Sequence, residues 1–227
     1  MNISIIIPAY NEEKRLPKTL SKLKKFLSKK NVNYEIIVVD DGSKDNTVNI
    51  AKKFDVRVLK HEKNKGKGAA VKTGLLNANN EIVGFIDADG STDLESMIKL
   101  CEKINGNDMV IGSRRTLKSK IEKKQSIFRR FFSQVFNIYV NVLFGLNIKD
   151  TQCGCKFMKN EVGKVLAKET KSDGFEFDVE FLVRAKLNKY KILEFPVTWR
   201  HVEGSRFNIY KSINMFIYLL KLKISLW

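Results

Sequence analysis

A chain of 227 residues, 43% of them apolar and 30% charged, can bury one sizeable core and is too charged to be a bundle of membrane spans. Its formal net charge of +17 calls for an anionic partner, whether nucleic acid, anionic lipid or a phosphorylated substrate, although part of it is ordinary lysine-rich surface. Cys101, Cys153 and Cys155 are too sparse for a disulfide framework and point to a reducing compartment.

The chain opens on Ile3-Ser4-Ile5-Ile6-Ile7-Pro8 with no basic segment ahead of a long apolar one, so no secretory signal is expected. That run (3–7) and those at 34–39, 56–59, 82–86 and 109–111 are short, β-branched and almost continuously apolar. Strands of a mostly parallel sheet covered on both faces read this way. Helical patterns at 14–28, 47–54, 69–77 and 93–104 alternate with them, the last opened by Thr92-x-x-Glu95 with capping-box spacing. The alternation predicts right-handed βαβ units and an α/β fold.

Past Arg114 the pattern changes. Arg114, Arg115, Lys118, Lys120, Lys123, Lys124, Arg129 and Arg130 stand against one acid, Glu122, and residues 131–148 then carry no charge. The uncharged run is nearly long enough to span a bilayer. Ser133, Gln134, Asn137, Asn141 and Asn147 interrupt it, while Phe128, Phe131, Phe132, Val135, Phe136, Tyr139 and Leu143 repeat at helical spacing. A helix over 128–146 lying in a membrane interface is the expectation. Residues 209–227, apolar at Ile213, Phe216, Ile217 and Leu220 and closed by Lys221, Lys223 and Trp227, predict a second.

In an open α/β sheet the ligand lies beyond the carboxyl ends of the strands. Here the strands run into Pro8 to Glu13, Asp40-Asp41-Gly42-Ser43, Asp87-Ala88-Asp89-Gly90 and Gly112-Ser113-Arg114. Residues i and i+2 of an extended segment share a side, so Asp87 and Asp89 suit a hard divalent cation, Mg²⁺ or Mn²⁺, that keeps positions for diphosphate oxygens. Aspartates at a turn or an N-cap are the plainer reading. The segment Asn64-Lys65-Gly66-Lys67-Gly68-Ala69-Ala70 has neither Walker nor dinucleotide glycine spacing. It reads equally as an anion site at a helix N-terminus and as a solvated loop. Glu176 and Asp178 either orient sugar or metal or cap a helix over 177–187, and His201 either touches substrate or is structural. Cys153-Gly154-Cys155 lacks zinc-site spacing and reads as packing.

Taken in order, Pro8-Ala9-Tyr10-Asn11-Glu12, Val39-Asp40-Asp41-Gly42-Ser43, Asn64-Lys65-Gly66-Lys67-Gly68, Asp87-Ala88-Asp89-Gly90 and Gly112-Ser113-Arg114 resemble the family 2 glycosyltransferases. Further on stand Asp150-Thr151-Gln152-Cys153-Gly154-Cys155-Lys156-Phe157, Phe175-Glu176-Phe177-Asp178-Val179-Glu180 and Trp199-x-His201-x-Glu203-Gly204-Ser205-Arg206. These are similar to the dolichyl-phosphate β-glucosyltransferases and to the related mannose synthases. The resemblance spans nearly the whole chain. It implies a GT-A fold: a Rossmann-like, mostly parallel sheet with helices on both faces, plus C-terminal amphipathic helices at a membrane surface. Residues 1–114 would be the nucleotide-sugar half and 115–227 the acceptor-binding, membrane-facing half of one domain. Pro8, Tyr10, Glu12 and Asp40 would hold the nucleoside, with Lys67 and Asp87 nearby. Asp87 and Asp89 would meet the metal, and Arg114, one of Arg129 or Arg130, and Arg206 the acceptor phosphate. Mannose synthases often carry Gln two residues past the second Asp; Ser91 stands there instead, which favours the glucosyl branch and leaves a third protein ligand open.

The resemblance thus implies inverting transfer of glucose from UDP-glucose to dolichyl or another polyprenyl phosphate, by a protein held peripherally on the cytoplasmic face of a membrane with anionic lipid. Two other readings stand beside it. One keeps the fold and takes mannose from GDP-mannose. The other makes the chain a nucleic-acid binder. Aromatics placed on helical faces rather than on a strand platform, and acids at the strand ends, speak against that last one.

Overall fold

The computed structural model describes residues 1–123, 127–202 and 209–226. Strands β1 (Asn2–Ala9), β2 (Asn33–Asp40), β3 (Arg57–Lys60), β4 (Ile82–Ile86) and β5 (Met109–Ser113) alternate with helices α1 (Leu16–Leu27), α2 (Thr47–Lys52), α3 (Lys67–Asn77) and α4 (Leu94–Glu102). Each falls where the apolar pattern puts it. The central stretches of β1, β2, β4 and β5 are almost continuously apolar because both faces are covered. Ile5, Ile7 and Val38 meet Leu16, Leu20 and Leu23 of α1 and Met97 of α4 on one side. Ile6, Ile37 and Val39 meet Val71 and Leu75 of α3 on the other.

The second half adds β6 (Lys120–Lys123), α5 (Ile127–Phe144), β7 (Cys155–Lys159), α6 (Asn160–Glu169), α7 (Phe177–Leu187), β8 (Ile192–Pro196), β9 (Thr198–Arg200) and α8 (Ile209–Ser225). The main sheet runs β3-β2-β1-β4-β7-β5-β8. All of its pairings are parallel except those of β7, which is antiparallel to both β4 and β5. The mostly parallel α/β expectation holds, and residues 115–227 put two strands, β7 and β8, into the same sheet. β6 and β9 form a separate parallel pair.

Two local expectations are corrected. The cap of α4 is Asp93, whose side chain accepts from the Ser96 amide, and not Thr92, which instead bridges to Trp199. Asp93 adjoins the first helical residue and caps as well as threonine does; Glu95 turns outward, 3.0 Å from Lys30. The single apolar stripe expected on α5 is in fact two. Phe136 and Val140 face inward, packing with Val179 and Val183 of α7 and Met215, Leu219 and Leu222 of α8. Ile127, Phe131, Val135, Ile138 and Val142 face outward, each 41–83% exposed.

Two of the polar interruptions of α5, Asn137 and Asn141, lie on its inner side, while Gln134 is exposed. Asn137 donates to the Ile148 carbonyl (2.9 Å) and accepts from the Thr151 amide, and Asn141 exchanges hydrogen bonds with Ile148. Among the described residues no helix is long and apolar enough to cross a membrane. Lys124, Arg206 and Trp227 lie outside the described residues, as do the side chains of Phe128 and Ile213.

Candidate active site

Because β1, β2, β4 and β5 run parallel, their carboxyl ends share one edge, and a cavity of about 620 Å³ opens there. Pro8, Tyr10, Glu12, Lys67, Asp87, Asp89, Arg114 and Arg129 all line it. Two anticipated residues do not. Asp40 is wholly buried at the end of β2, one carboxylate oxygen accepting from the Ser43 amide at 3.1 Å and the other without a partner among the described residues. Its neighbour Asp41 reaches the cavity in its place. Arg130 is exposed and outside the lining, so of the two adjacent arginines Arg129 is the one at the site. Arg206 lies outside the described residues.

The glycine loop ahead of α3 is not an open anion site. Its Lys65 and Gly66 amides donate to the Asp41 carboxylate at 2.9 and 2.8 Å, as does the Asn64 side chain at 2.8 Å. His61 Nδ1 sits 2.8 Å from the same carboxylate while its Nε2 meets the Thr73 hydroxyl at 3.0 Å. The Ala69 amide donates to the Asp173 carbonyl. The glycines serve close approach: Gly66 has φ +116, and a Cβ on it would lie 2.2 Å from the Asp173 carbonyl oxygen. The protein's own carboxylate already fills the concavity that the spacing left open to a ligand.

Asp87 and Asp89 do converge, by a turn rather than by the alternation of a strand. β4 ends at Ile86, and the chain reverses over the next residues with Gly90 at φ +67. The Asp89 carboxyl is raised above its ordinary value, first by burial and then by the Asp87 charge. Lys67 Nζ lies 2.7 Å from Asp87 Oδ1 and 3.8 Å from Asp178 Oδ2. Burial alone would lower that ammonium's pKa, but Asp87 and then Asp178 outweigh it and raise it.

Two neighbouring carboxylates, both with oxygen donors only, fit a hard divalent cation that takes its remaining ligands from a diphosphate. Among the described residues no third His, Cys, Asp or Glu joins them in a metal-binding group.

The cysteine pair matters here through the glycine between its members. A Cβ on Gly154 would lie 1.9 Å from Asp87 Oδ2, so only glycine lets the carboxylate sit against this backbone. The cysteines are free and buried, and burial pushes the Cys153 thiol up to about 12.

On the other wall, Arg114 forks onto Asp150, Nε to Oδ2 at 2.7 Å and Nη2 to Oδ1 at 2.8 Å, with its guanidinium 5.4 Å from the Trp199 ring. Arg129 has its guanidinium pKa lowered by burial and then by Arg114, as befits a cation beside another cation. Glu176 and His201 line the cavity. Glu176 makes no side-chain capping bond to α7, and Asp178 is taken by the buried Lys156 (2.5 Å), so neither acid caps that helix as the sequence allowed. Asp41, Asp150 and Lys156 were not singled out as site residues. All three stand inside the motifs quoted for the resemblance, but the Gly66, Arg114 and Asp178 groups that they meet lie 25, 36 and 22 residues away.

Comparison with known proteins places this geometry in context. The family model for glycosyl transferase family 2 matches residues 4–166. A dolichyl-phosphate β-glucosyltransferase of Trichomonas vaginalis is 37% identical over 98% of this chain and 73% of its own length. The Homo sapiens dolichyl-phosphate β-glucosyltransferase is 36% identical over 90% and 69% respectively. Glucosyl-3-phosphoglycerate synthase from Mycobacterium tuberculosis, solved with Mn²⁺, UDP and glucosyl-3-phosphoglycerate, shares the fold at TM-score 0.71 and 18% identity, over 98% of this chain and 79% of that one.

Proposed function

The chain belongs to glycosyl transferase family 2, and from that premise we propose that it is a dolichyl-phosphate β-glucosyltransferase, carrying glucose from UDP-glucose to a polyprenyl phosphate with inversion. Relatives of that activity at 33–38% identity cover nine tenths of the chain or more. The observation that carries the reading is one cavity with an acidic pair, Asp87 and Asp89, on one wall and the arginines Arg114 and Arg129 on another.

Residues 1–114 hold the donor. Pro8, Tyr10 and Glu12 bound the nucleoside, with Asp40 and Asp41 fixing the floor beneath it, and Lys67 faces the diphosphate. Asp87 and Asp89 would hold Mg²⁺ or Mn²⁺, which when bound neutralises the diphosphate and makes it a better leaving group. Residues 115–227 hold the acceptor. Arg129, and Arg206 with it, grip the lipid phosphate by charge-assisted hydrogen bonds, while Arg114, fixed on Asp150, lends its field to the same corner.

A phosphate monoester has a second pKa of about 6, so its oxygen is already anionic near neutral pH and needs no general base. That oxygen attacks the anomeric carbon from the face opposite the diphosphate. The new C–O bond forms as the bond to the diphosphate breaks, so an α-linked donor gives a β-linked product.

The outward row on α5 and Ile217, Leu220 and Ile224 on α8 are exposed apolar residues flanked by exposed Lys118, Lys120, Lys123 and Arg130. This combination suits peripheral seating on an anionic leaflet. The free, buried cysteines suit the reducing, cytoplasmic face.

The test offers radiolabelled UDP-glucose and GDP-mannose separately, each with dolichyl phosphate and Mn²⁺. Label passing into the lipid phase from UDP-glucose is expected. Label from GDP-mannose alone replaces glucose by mannose, and no lipid label from either ends the reading.

A further inference from the structure

We propose that the buried pair Lys156–Asp178 is a positioning device for Lys67, giving its ammonium a second berth so that a divalent cation can take Asp87 without expelling the lysine from the site. The inference rests on the metal-assisted reading above and goes beyond it, because it concerns what the chain must do to let the cation in.

Lys156 is wholly buried in β7, between β4 and β5. Its Nζ donates to Asp178 Oδ1 at 2.5 Å and to the Cys153 carbonyl at 2.9 Å, and lies 5.5 Å from the centre of the Phe85 ring. Taking an ammonium and a carboxylate out of water is costly, and apolar residues of similar volume commonly serve stability as well or better. A packing role alone leaves this pair without a reason.

Lys67 supplies one. Its Nζ stands over the same aromatic cluster, 5.6 Å from the Phe85 ring and 5.7 Å from the Phe177 ring. It is bound to Asp87 Oδ1 at 2.7 Å and has Asp178 Oδ2 at 3.8 Å. Asp87 Oδ2 already lies against the Gly154 backbone, so an arriving cation competes with Lys67 for Oδ1. The Lys67 side chain is only 17% exposed. An ammonium displaced there needs a counter-charge within the protein, and Asp178 is the carboxylate that stands beside it. Lys156 sets how strongly Asp178 pulls. With its Oδ1 engaged, Asp178 leaves Lys67 on Asp87 while the cation is absent and receives it once the cation has come.

The test reads Mn²⁺ binding by calorimetry or electron paramagnetic resonance, without and with UDP, so that no turnover is needed. Lys67→Met removes the competitor, and Mn²⁺ alone should bind more tightly. The double variant Lys156→Met/Asp178→Asn leaves no unpaired buried charge and no change in net charge, so simple repulsion predicts no effect. The berth predicts weaker Mn²⁺ binding, by roughly tenfold, within the range of ordinary coupling between sites. Lys156→Met alone frees Asp178 to draw Lys67 away from Asp87, and Mn²⁺ should then bind more tightly than to wild type. A thermal melt checks that each variant is folded.

Unchanged affinity in the folded double variant, or a loss in both single variants, overturns the proposal while leaving the transferase reading intact. Wild type that binds no Mn²⁺ even with UDP overturns the metal reading together with it.

Discussion

Asp89 is one of the two carboxylates proposed to hold the cation. Its carboxyl is raised by burial and then by Asp87, and a bound cation would relieve both effects. Asp89→Asn keeps the shape and removes the charge, so we expect transfer to be abolished while the thermal transition stays near that of wild type. Mn²⁺-dependent transfer at the wild-type rate would take Asp89 out of the site.

Arg114 demands a different test, because Arg114→Ala strands the buried Asp150 carboxylate, a loss that costs on the order of 3–5 kcal/mol. The acceptor role is better read at Arg129. Arg129→Ala should raise the KM for lipid phosphate and spare that for UDP-glucose, since one charge-assisted contact is worth about 1.5–3 kcal/mol; the opposite split would assign Arg129 to the donor.

The Arg114–Asp150 pair also leaves a pH signature. Burial alone would raise the Asp150 carboxyl, but Arg114 outweighs it and holds it below 3.8. A depressed native pKa gives stability that is full above the unfolded value and lost as pH falls through the native one. Wild type should therefore lose denaturation midpoint steeply below about pH 3.8, and Asp150→Asn should show a flatter acid limb. Identical acid limbs would contradict the pairing. Arg114 was legible as a strand-end cation; Asp150, 36 positions on, was not, because nothing local marks which acid a fold will bring back to a given arginine.

Helices and strands were legible in proportion to how far their own burial explains their composition. The first nine elements are covered on both faces or amphipathic, and apolar periodicity finds them. β7 escaped because its five residues include two lysines, one of them the wholly buried Lys156, and charge inside a strand reads as a loop. β6 and β9, at four and three residues, carry one sheltered apolar residue each, Ile121 and Trp199, too few to show a period.

α5 is legible from its apolar period, but the face its polar residues take is not. Asn137 and Asn141 turn inward and hold the segment from Ile148 to Thr151, while the outward face is largely apolar, with Gln134 exposed. That inversion motivates a direct test. Phe131→Glu with Ile138→Glu, at positions 65% and 57% exposed, should cost the fold little and abolish flotation with anionic vesicles. Wild-type flotation should weaken with salt as screening shortens the reach of the lysines. A wild-type protein that stays with the soluble fraction at low salt would contradict the membrane seating.

Across the whole molecule the charge is divided by task. Acids stand at the strand ends of one edge, where a nucleotide's diphosphate and its cation would meet; of the arginines at the cavity, Arg15 stands ahead of α1 beside Glu12, while Arg114 follows β5 and Arg129 lies on α5. The strand-end motifs made the edge readable because a parallel sheet sends every carboxyl end to the same place. What the linear order concealed is β7, which returns between β4 and β5 and brings Gly154, just ahead of it, to Asp87 and its own Lys156 to Asp178.

All of this amounts to a site that joins two anions by attack of one on the sugar of the other. The configuration of the product reports on that step without intermediaries. Dolichyl phosphate and UDP-glucose should be converted with Mn²⁺, and the anomeric coupling of the purified lipid read by NMR. A β-linked glucosyl phosphate is the expected product; an α-linked one, or free glucose with the lipid phosphate unmodified, would contradict direct inverting transfer.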